Sequence, residues 1–335
     1  MRLSVLLFLF FILQIQSQEV KGVIFDAKTE EPIFGVSVYY DGSSVGTMTD
    51  EDGSFRIQLP YQNKATLVIS HLGYVTQKIP NLPREAVLTI ALEEEVESLE
   101  EVVLTSDPFT RKDKMEVFKL EFLGDTQGGR ACEIVNEEDV RLYFNSEDNT
   151  LSAYSDKPVV VQNEYLGYLV HFNIEEFKIF FKSKSLKRID NIYHTLFDGT
   201  TRFYDTSNGD SKIEGRRQRA YLGSPRHFIR ACWYGDVENQ NFRLKKRYKS
   251  VEISDFIKKN GDSLGDLREV RFYGDQFVIY HKKRSNYRST LKINEVDTTY
   301  IMDRYGNYTP FESLVFGGHM SSYRIGDMLP MDYGF

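Results

Sequence analysis

Between Val20 and Val103, glycine and aspartate recur at set places among short runs of β-branched and aromatic residues. The runs are Gly22-Val23-Ile24-Phe25-Asp26, Pro32-Ile33-Phe34-Gly35-Val36, Gly46-Thr47-Met48-Thr49-Asp50 with Asp52-Gly53-Ser54-Phe55, Ser70-His71-Leu72-Gly73-Tyr74 and Leu99-Glu100-Glu101-Val102-Val103. Glycine supplies the positive φ that tight turns need, and aspartate bonds the backbone just beyond itself, so the pattern cuts the chain into strands too short for helices. Val20 to about Leu92 reads as some seven strands, the density of a β-sandwich. Leu88, Ile90 and Leu92 alternate with Thr89, and Asp50-Glu51-Asp52-Gly53 reads as a type I turn closing a hairpin, with Gly53 left-handed.

The segment lies behind an export signal. Arg2 precedes the apolar run Leu3–Leu13, and Ile15 and Ser17 occupy the −3 and −1 positions of a cleavage site before Gln18. The run falls short of the roughly 20 residues a spanning helix needs. With no cysteine nearby, a lipid anchor is not expected. The layout read from sequence is a signal peptide at 1–17, a sandwich at 18–92, an acidic linker at 93–108 and a β-rich domain at 109–335. The linker is marked by six glutamates between Glu93 and Glu101.

The expected fold class is mainly β: the N-terminal sandwich plus a larger, mostly antiparallel α+β domain with a helical insert. An aromatic content of 14%, mostly Phe and Tyr, suits that class. In the second region Met115–Leu123 reads as a short helix. Leu151–Ala153, Val159–Gln162, Tyr168–Ile174, Lys178–Phe181, Phe242–Tyr248, Glu269–Tyr273, Phe277–His281, Ser289–Ile293 and Thr298–Asp303 read as strands. Arg216–Tyr234 reads as helical but is interrupted at Gly223, giving two helices with Ser224 capping the second and Pro225 at its first position. The formal charge of −7 argues against nucleic acid as a partner.

The quoted runs, in combination, resemble the carboxypeptidase-like regulatory domain, whose fold is a transthyretin-like sandwich and which carries no chemistry of its own. The resemblance covers about a quarter of the chain. The same module precedes the plug of many TonB-dependent receptors in Bacteroidota, so it implies a Gram-negative envelope location, exported and periplasmic or outer-membrane-associated. Too little chain follows Leu104 for a plug and a large barrel, so receptor function is not implied. The remainder resembles a group of exported proteins that share this module, on the strength of Phe122-Leu123-Gly124, Leu166-Gly167-Tyr168, Tyr221-Leu222-Gly223-Ser224 with His227-Phe228, and Leu329-Pro330-Met331-Asp332-Tyr333.

No catalytic, cofactor or metal residue is assigned from sequence. A zinc carboxypeptidase needs His-x-x-Glu and a distant His, yet none of His71, His171, His194, His227, His281 and His319 has Glu at +3. Gly42-Ser43-Ser44-Val45-Gly46 and Gly261-Asp262-Ser263-Leu264-Gly265 match Gly-x-Ser-x-Gly. The first falls inside the sandwich, and the second lacks both a preceding buried strand and a placed histidine, leaving Ser263 a loop serine. Asp50 to Gly53 lacks a calcium loop's late glutamate, and Glu175-Glu176 should point apart.

The basic clusters Arg216-Arg217-Arg219, Lys245-Lys246-Arg247 and Lys282-Lys283-Arg284 read as solvated faces, or as surfaces for anionic lipid or glycan. Aromatics from Tyr300 to Phe335 read as core, with a carbohydrate platform as the alternative. Cys132 and Cys232 are candidates for a disulfide in an exported chain; the competing reading is two buried free thiols. Together these features point to a non-enzymatic binding or assembly protein of the envelope, with a protein or glycan as partner and peripheral outer-membrane association. An envelope glycan or ester hydrolase and a small outer-membrane barrel are the alternatives. No oligomeric state is read.

Overall fold

The computed structural model describes residues 19–334 apart from 59–64, 81, 83–85, 96–106, 188, 248, 253–256, 265–266, 282–287, 295–298 and 311–312. The expected signal peptide at 1–17, most of the expected acidic linker and the cluster Lys282-Lys283-Arg284 lie outside the described residues. Two compact units form. One holds the described residues up to Val38 together with Thr47–Glu94; the other holds Tyr39–Gly46 together with those from Glu95 onward.

Seven strands build the sandwich, as its turn residues require. They are β1 (Glu19–Asp26), β2 (Ser37–Tyr40), β3 (Gly46–Met48), β4 (Ser54–Gln58), β5 (Leu67–Ser70), β6 (Gln77–Ile79) and β7 (Ala86–Leu92). One sheet has the order β4-β1-β7, with β1 antiparallel to β4 and parallel to β7; the other has the order β3-β2-β5-β6. Period-two alternation buries Val20, Ile24, Ile90 and Leu92 and leaves Val87 77% exposed. The turn at Asp50 to Gly53 is present, with Gly53 at φ +73° and its N–H donating to Asp50 O at 3.0 Å. It is not the hairpin expected, because β3 and β4 belong to opposite sheets.

The family-like residues have local causes. A Cβ on Gly22 would stand 2.3 Å from the Leu88 carbonyl oxygen, so only glycine lets β1 and β7 pair there. Asp26 accepts from the N–H groups of Lys28 and Thr29 and from the Tyr74 hydroxyl, and these donors hold its carboxyl down at about 2.

In the second unit, β8 (Cys132–Ile134), β9 (Arg141–Asn145), β10 (Thr150–Tyr154), β11 (Val159–Asn163), β12 (Tyr168–Phe181) and β13 (Ile192–Asp205) form a six-stranded sheet. Tyr168–Ile174 and Lys178–Phe181, expected as separate strands, are one strand that passes through a bulge between Ile174 and Glu176. The helix α1 (Arg111–Leu123), capped by Thr110 and four residues longer at its start than expected, covers the sheet's inner face. There Phe118 stacks on Phe122 at 5.0 Å and meets Phe177 edge-on at 4.9 Å.

Two further sheets follow. One joins β14 (Phe242–Lys246), β15 (Lys249–Val251), β18 (Gln276–His281), β19 (Arg288–Ile293) and β22 (Leu314–Gly318) in the order β15-β14-β18-β19-β22. The other joins β16 (Ile257–Leu264), β17 (Leu267–Phe272), β20 (Thr299–Asp303) and β21 (Tyr308–Thr309) in the order β16-β17-β20-β21. Helices α2 (Ser211–Tyr221) and α3 (Pro225–Tyr234) form the insert, with Ser224 accepting the His227 N–H and Pro225 at the first position of α3, as its sequence requires. Among the described residues these sheets are open and separate, so they do not make the single closed ring of a barrel.

Phe118 is fully buried. Phe118→Ala should cost about 3–5 kcal/mol, because the rings around it cannot close the gap. Urea unfolding followed by near-ultraviolet circular dichroism of the second unit measures the loss.

Candidate functional site

The histidines are the natural starting point, and the structure spends the buried ones on architecture. His227 Nδ1 accepts the Gly223 N–H at 3.0 Å, which leaves Nε2 to donate to Gln240 Oε1 at 3.1 Å. Burial, and after it the charges of His281 and Arg230, outweigh the Gln240 bond and pull the imidazole from 6.5 down to about 4. Its ring lies 5.5 Å from that of His281, and both pack against Phe242. Ser224, the serine nearest in sequence, accepts from the His227 backbone N–H at 3.1 Å. Among the described residues no three His, Cys, Asp or Glu side chains gather as metal ligands.

The two Gly-x-Ser-x-Gly matches land in different settings. Ser43 sits at the tip between β2 and β3 and donates to the Tyr40 carbonyl at 2.7 Å, while Ser44 bonds Asp332 through its N–H and its hydroxyl. Ser263 is not on a loop: it lies in β16, which turns back antiparallel into β17. A strand feeding a hairpin does not present a nucleophile at a strand-to-helix elbow.

The basic cluster on α2 is not simply a solvated face. Arg217 is buried, donates to the carbonyls of Leu166 and Gly167, forks onto Asp205 at 2.8 and 2.9 Å, and lies 3.8 Å over the Tyr168 ring. Its guanidinium, with the Ser207 donors, holds the Asp205 carboxyl well below the usual range. On α3, Arg230 donates to the carbonyls of Tyr305, Met331 and Tyr333, and Arg226 donates to that of Leu329. Burial beside Arg230 pushes Arg226 down to about 10. These two arginines grip the Leu329–Tyr333 stretch, which is therefore irregular chain rather than a terminal barrel strand. In the cluster Lys245-Lys246-Arg247, Lys246 reaches Asp275 at 3.6 Å and Lys245 lies over Tyr280.

The remaining candidates fall into place around these. Cys132 and Cys232 are free thiols belonging to different hydrophobic cores, so they are not brought together. Glu175 falls at the bulge, while Glu176 pairs with Lys178 at 2.8 Å. Tyr300 and Tyr305 are fully buried and Tyr308 and Phe316 pack on the second core, so these late aromatics are structural. Phe311 and Phe335 lie outside the described residues.

The surface that survives this accounting is the outer face of the six-stranded sheet. Register aligns His171 with Arg202, Asn173 with Thr200, Glu176 with Asp198, Lys178 with Leu196, and Phe180 with His194. At one end Tyr39–Gly46 covers it: the Tyr39 hydroxyl bonds Thr200 and Asn173, and Arg202 is sandwiched by Tyr204 and Tyr39. The other end is open. Tyr154 is 49% exposed, His194 stacks on Phe180, and the Glu176–Lys178 pair lies between. The sequence reading missed β13, although the run Tyr193, Thr195, Phe197, Thr200, Thr201, Phe203 and Tyr204 has the residue types of a strand.

The buried groups yield two expectations. Arg230→Ala strands three carbonyl acceptors and should cost about 3 kcal/mol or more, read by urea unfolding, with new protease cleavage near Met331. Because the folded His227 binds its proton less tightly than the unfolded chain does, stability should fall as pH drops from 6.5 to about 4. His227→Gln should flatten that slope in part, since His171 is also lowered by burial; denaturation at both ends of the window measures it.

Comparison with known proteins adds the following. The CarboxypepD_reg-like domain model matches residues 20–104. The TonB-dependent receptor SusC of Bacteroides thetaiotaomicron is 36% identical over 100 residues, covering 30% of this chain and 9% of the receptor. The TonB-dependent receptor P39 of Formosa agariphila is 41% identical over 73 residues, covering 22% of this chain and 7% of the receptor. The chain thus spans under a tenth of either relative. A cohesin-X-dockerin complex from Acetivibrio cellulolyticus aligns with 22% of this chain and 56% of that one at 22% identity, with a TM-score of 0.20, too low to bear on the fold. Residues 20–104 therefore constitute a CarboxypepD_reg-like domain, distantly and partially similar to TonB-dependent receptors of Bacteroidetes.

Proposed function

We propose that this chain is a non-catalytic binding or assembly protein of the cell envelope, with an envelope protein or glycan as partner. The observation that carries the reading is the open end of the outer sheet face. Tyr154, Phe180 and His194 present rings there beside the Glu176–Lys178 pair, a mixture of stacking surface and hydrogen-bonding groups. The module at 20–104 supports the envelope location, since TonB-dependent receptors share it. No helix among the described residues is long and apolar enough to cross a membrane, which suits peripheral association.

The test is capture from intact envelopes by cross-linking, paired with ester and glycan hydrolysis assays on the purified protein. A bound envelope protein or glycan should be recovered, with recovery falling about tenfold in Tyr154→Ala with Lys178→Ala, the loss expected from removing contacts at the centre of an interface. Robust turnover that disappears in Ser263→Ala would replace this reading with the hydrolase alternative.

A further inference from the structure

We infer that β13 is a self-complementary edge through which two copies of this chain join their six-stranded sheets. This goes beyond the binding reading and does not rest on it.

Among the described residues, β13 pairs along its length with β12 on one side only. Its other edge is occupied at one end, where the N–H groups of Thr201 and Phe203 donate to Asp41 and to the Ser43 carbonyl, and Gly42 donates to Thr201 O. The odd-numbered residues of β13 therefore turn their backbone groups away from β12. No residue of β13 is skipped in its pairing from His194 to Asp205, so Thr195, Phe197 and Gly199 follow the same rule. The Gly199 N–H is met by the side chain of its own neighbour, Asp198 Oδ1, at 2.9 Å, a stand-in for the missing strand. Beyond it lie exposed side chains: Leu196 at 37%, Tyr193 at 78%, and His194 and Asp198. A bare edge of this length is an open template for another strand.

A second copy fits in one register. Outward-facing odd residues must oppose one another, which leaves antiparallel arrangements centred on Thr195, Leu196 or Phe197. Centring on Leu196 sets Leu196 against Leu196 of the second copy, His194 against its Asp198, and Thr195 against its Phe197 as a hydrogen-bonded pair. Centring on Thr195 would set His194 on leucine, and centring on Phe197 would set Asp198 on leucine. Only the first arrangement matches apolar to apolar and imidazole to carboxylate. In it, the Thr195–Phe197 pair supplies the backbone bonds, and Asp198 faces the opposing imidazole.

The test is sedimentation equilibrium of the purified full chain over a wide concentration range, with circular dichroism confirming that each variant is folded. The wild-type chain should reach twice its monomer mass. His194→Asp and Asp198→His should each shift the protein to monomer, and the double exchange should restore the dimer, because every cross-copy pair is then again acid against base. Leu196→Cys should form a disulfide between copies at position 196, identified by mass spectrometry. A monomer at every concentration overturns the proposal, as does a dimer that the single exchanges leave intact or that Leu196→Cys does not cross-link. Envelope capture through Tyr154 and Lys178 is read separately, so either result stands without the other.

Discussion

Fourteen residues of β12 run against fourteen of β13, and the rest of the second unit is arranged around that ladder. Alternation along the pair sends Phe172, Phe177, Ile179 and Phe203 into the core beneath α1, and sends Asn173, Thr200 and Arg202 the other way. A strand pair this long would twist its inward residues out of line with a straight helix. The bulge at Glu175 spends one residue to correct the phase, keeping Phe172 and Phe177 on the same side although they are five positions apart. Arg217 then fixes the start of β12 to the end of β13 by reaching both Gly167 and Asp205.

What the sequence revealed divides along the range of the interactions. The seven strands of the sandwich were legible because their signals are local: Gly53 needs a positive φ, and Asp26 bonds the next few N–H groups. The same held for α3, where Ser224 and Pro225 announce its start. β13 was lost because its periodicity is hidden where tertiary contacts bury both faces: Thr200, Thr201, Arg202 and Phe203 are all buried, so polar residues stand where alternation predicts exposure. The assignment of Arg217 to a solvated face failed similarly. Its partners are carbonyls and a carboxylate that only the folded chain brings near, and composition around Arg217 does not register them. The outer sheet face, formed by residues from Tyr154 to Tyr204, had no contiguous signature to read.

The buried arginines of this unit are committed to main-chain contacts. A guanidinium whose donors meet backbone carbonyls is fixed in place without needing an acid partner. Arg226 donates to the Leu329–Tyr333 stretch, Arg230 to that stretch and to Tyr305, and His227 between them is kept neutral by burial. Polar groups committed this fully to main-chain contacts are poor proton carriers.

The grip of Arg230 on Tyr305, Met331 and Tyr333 spans 75, 101 and 103 positions of chain. Helix α3 cannot therefore enter its final environment until those distant carbonyls have arrived, since a desolvated guanidinium without them is strongly unfavourable. Completion of the second unit is gated by contacts of high sequence separation, the condition that makes folding slow. Loss of the Met331–Tyr333 carbonyls would therefore be felt at α3, about a hundred positions earlier in the chain, where the Arg230 guanidinium would be left short of acceptors.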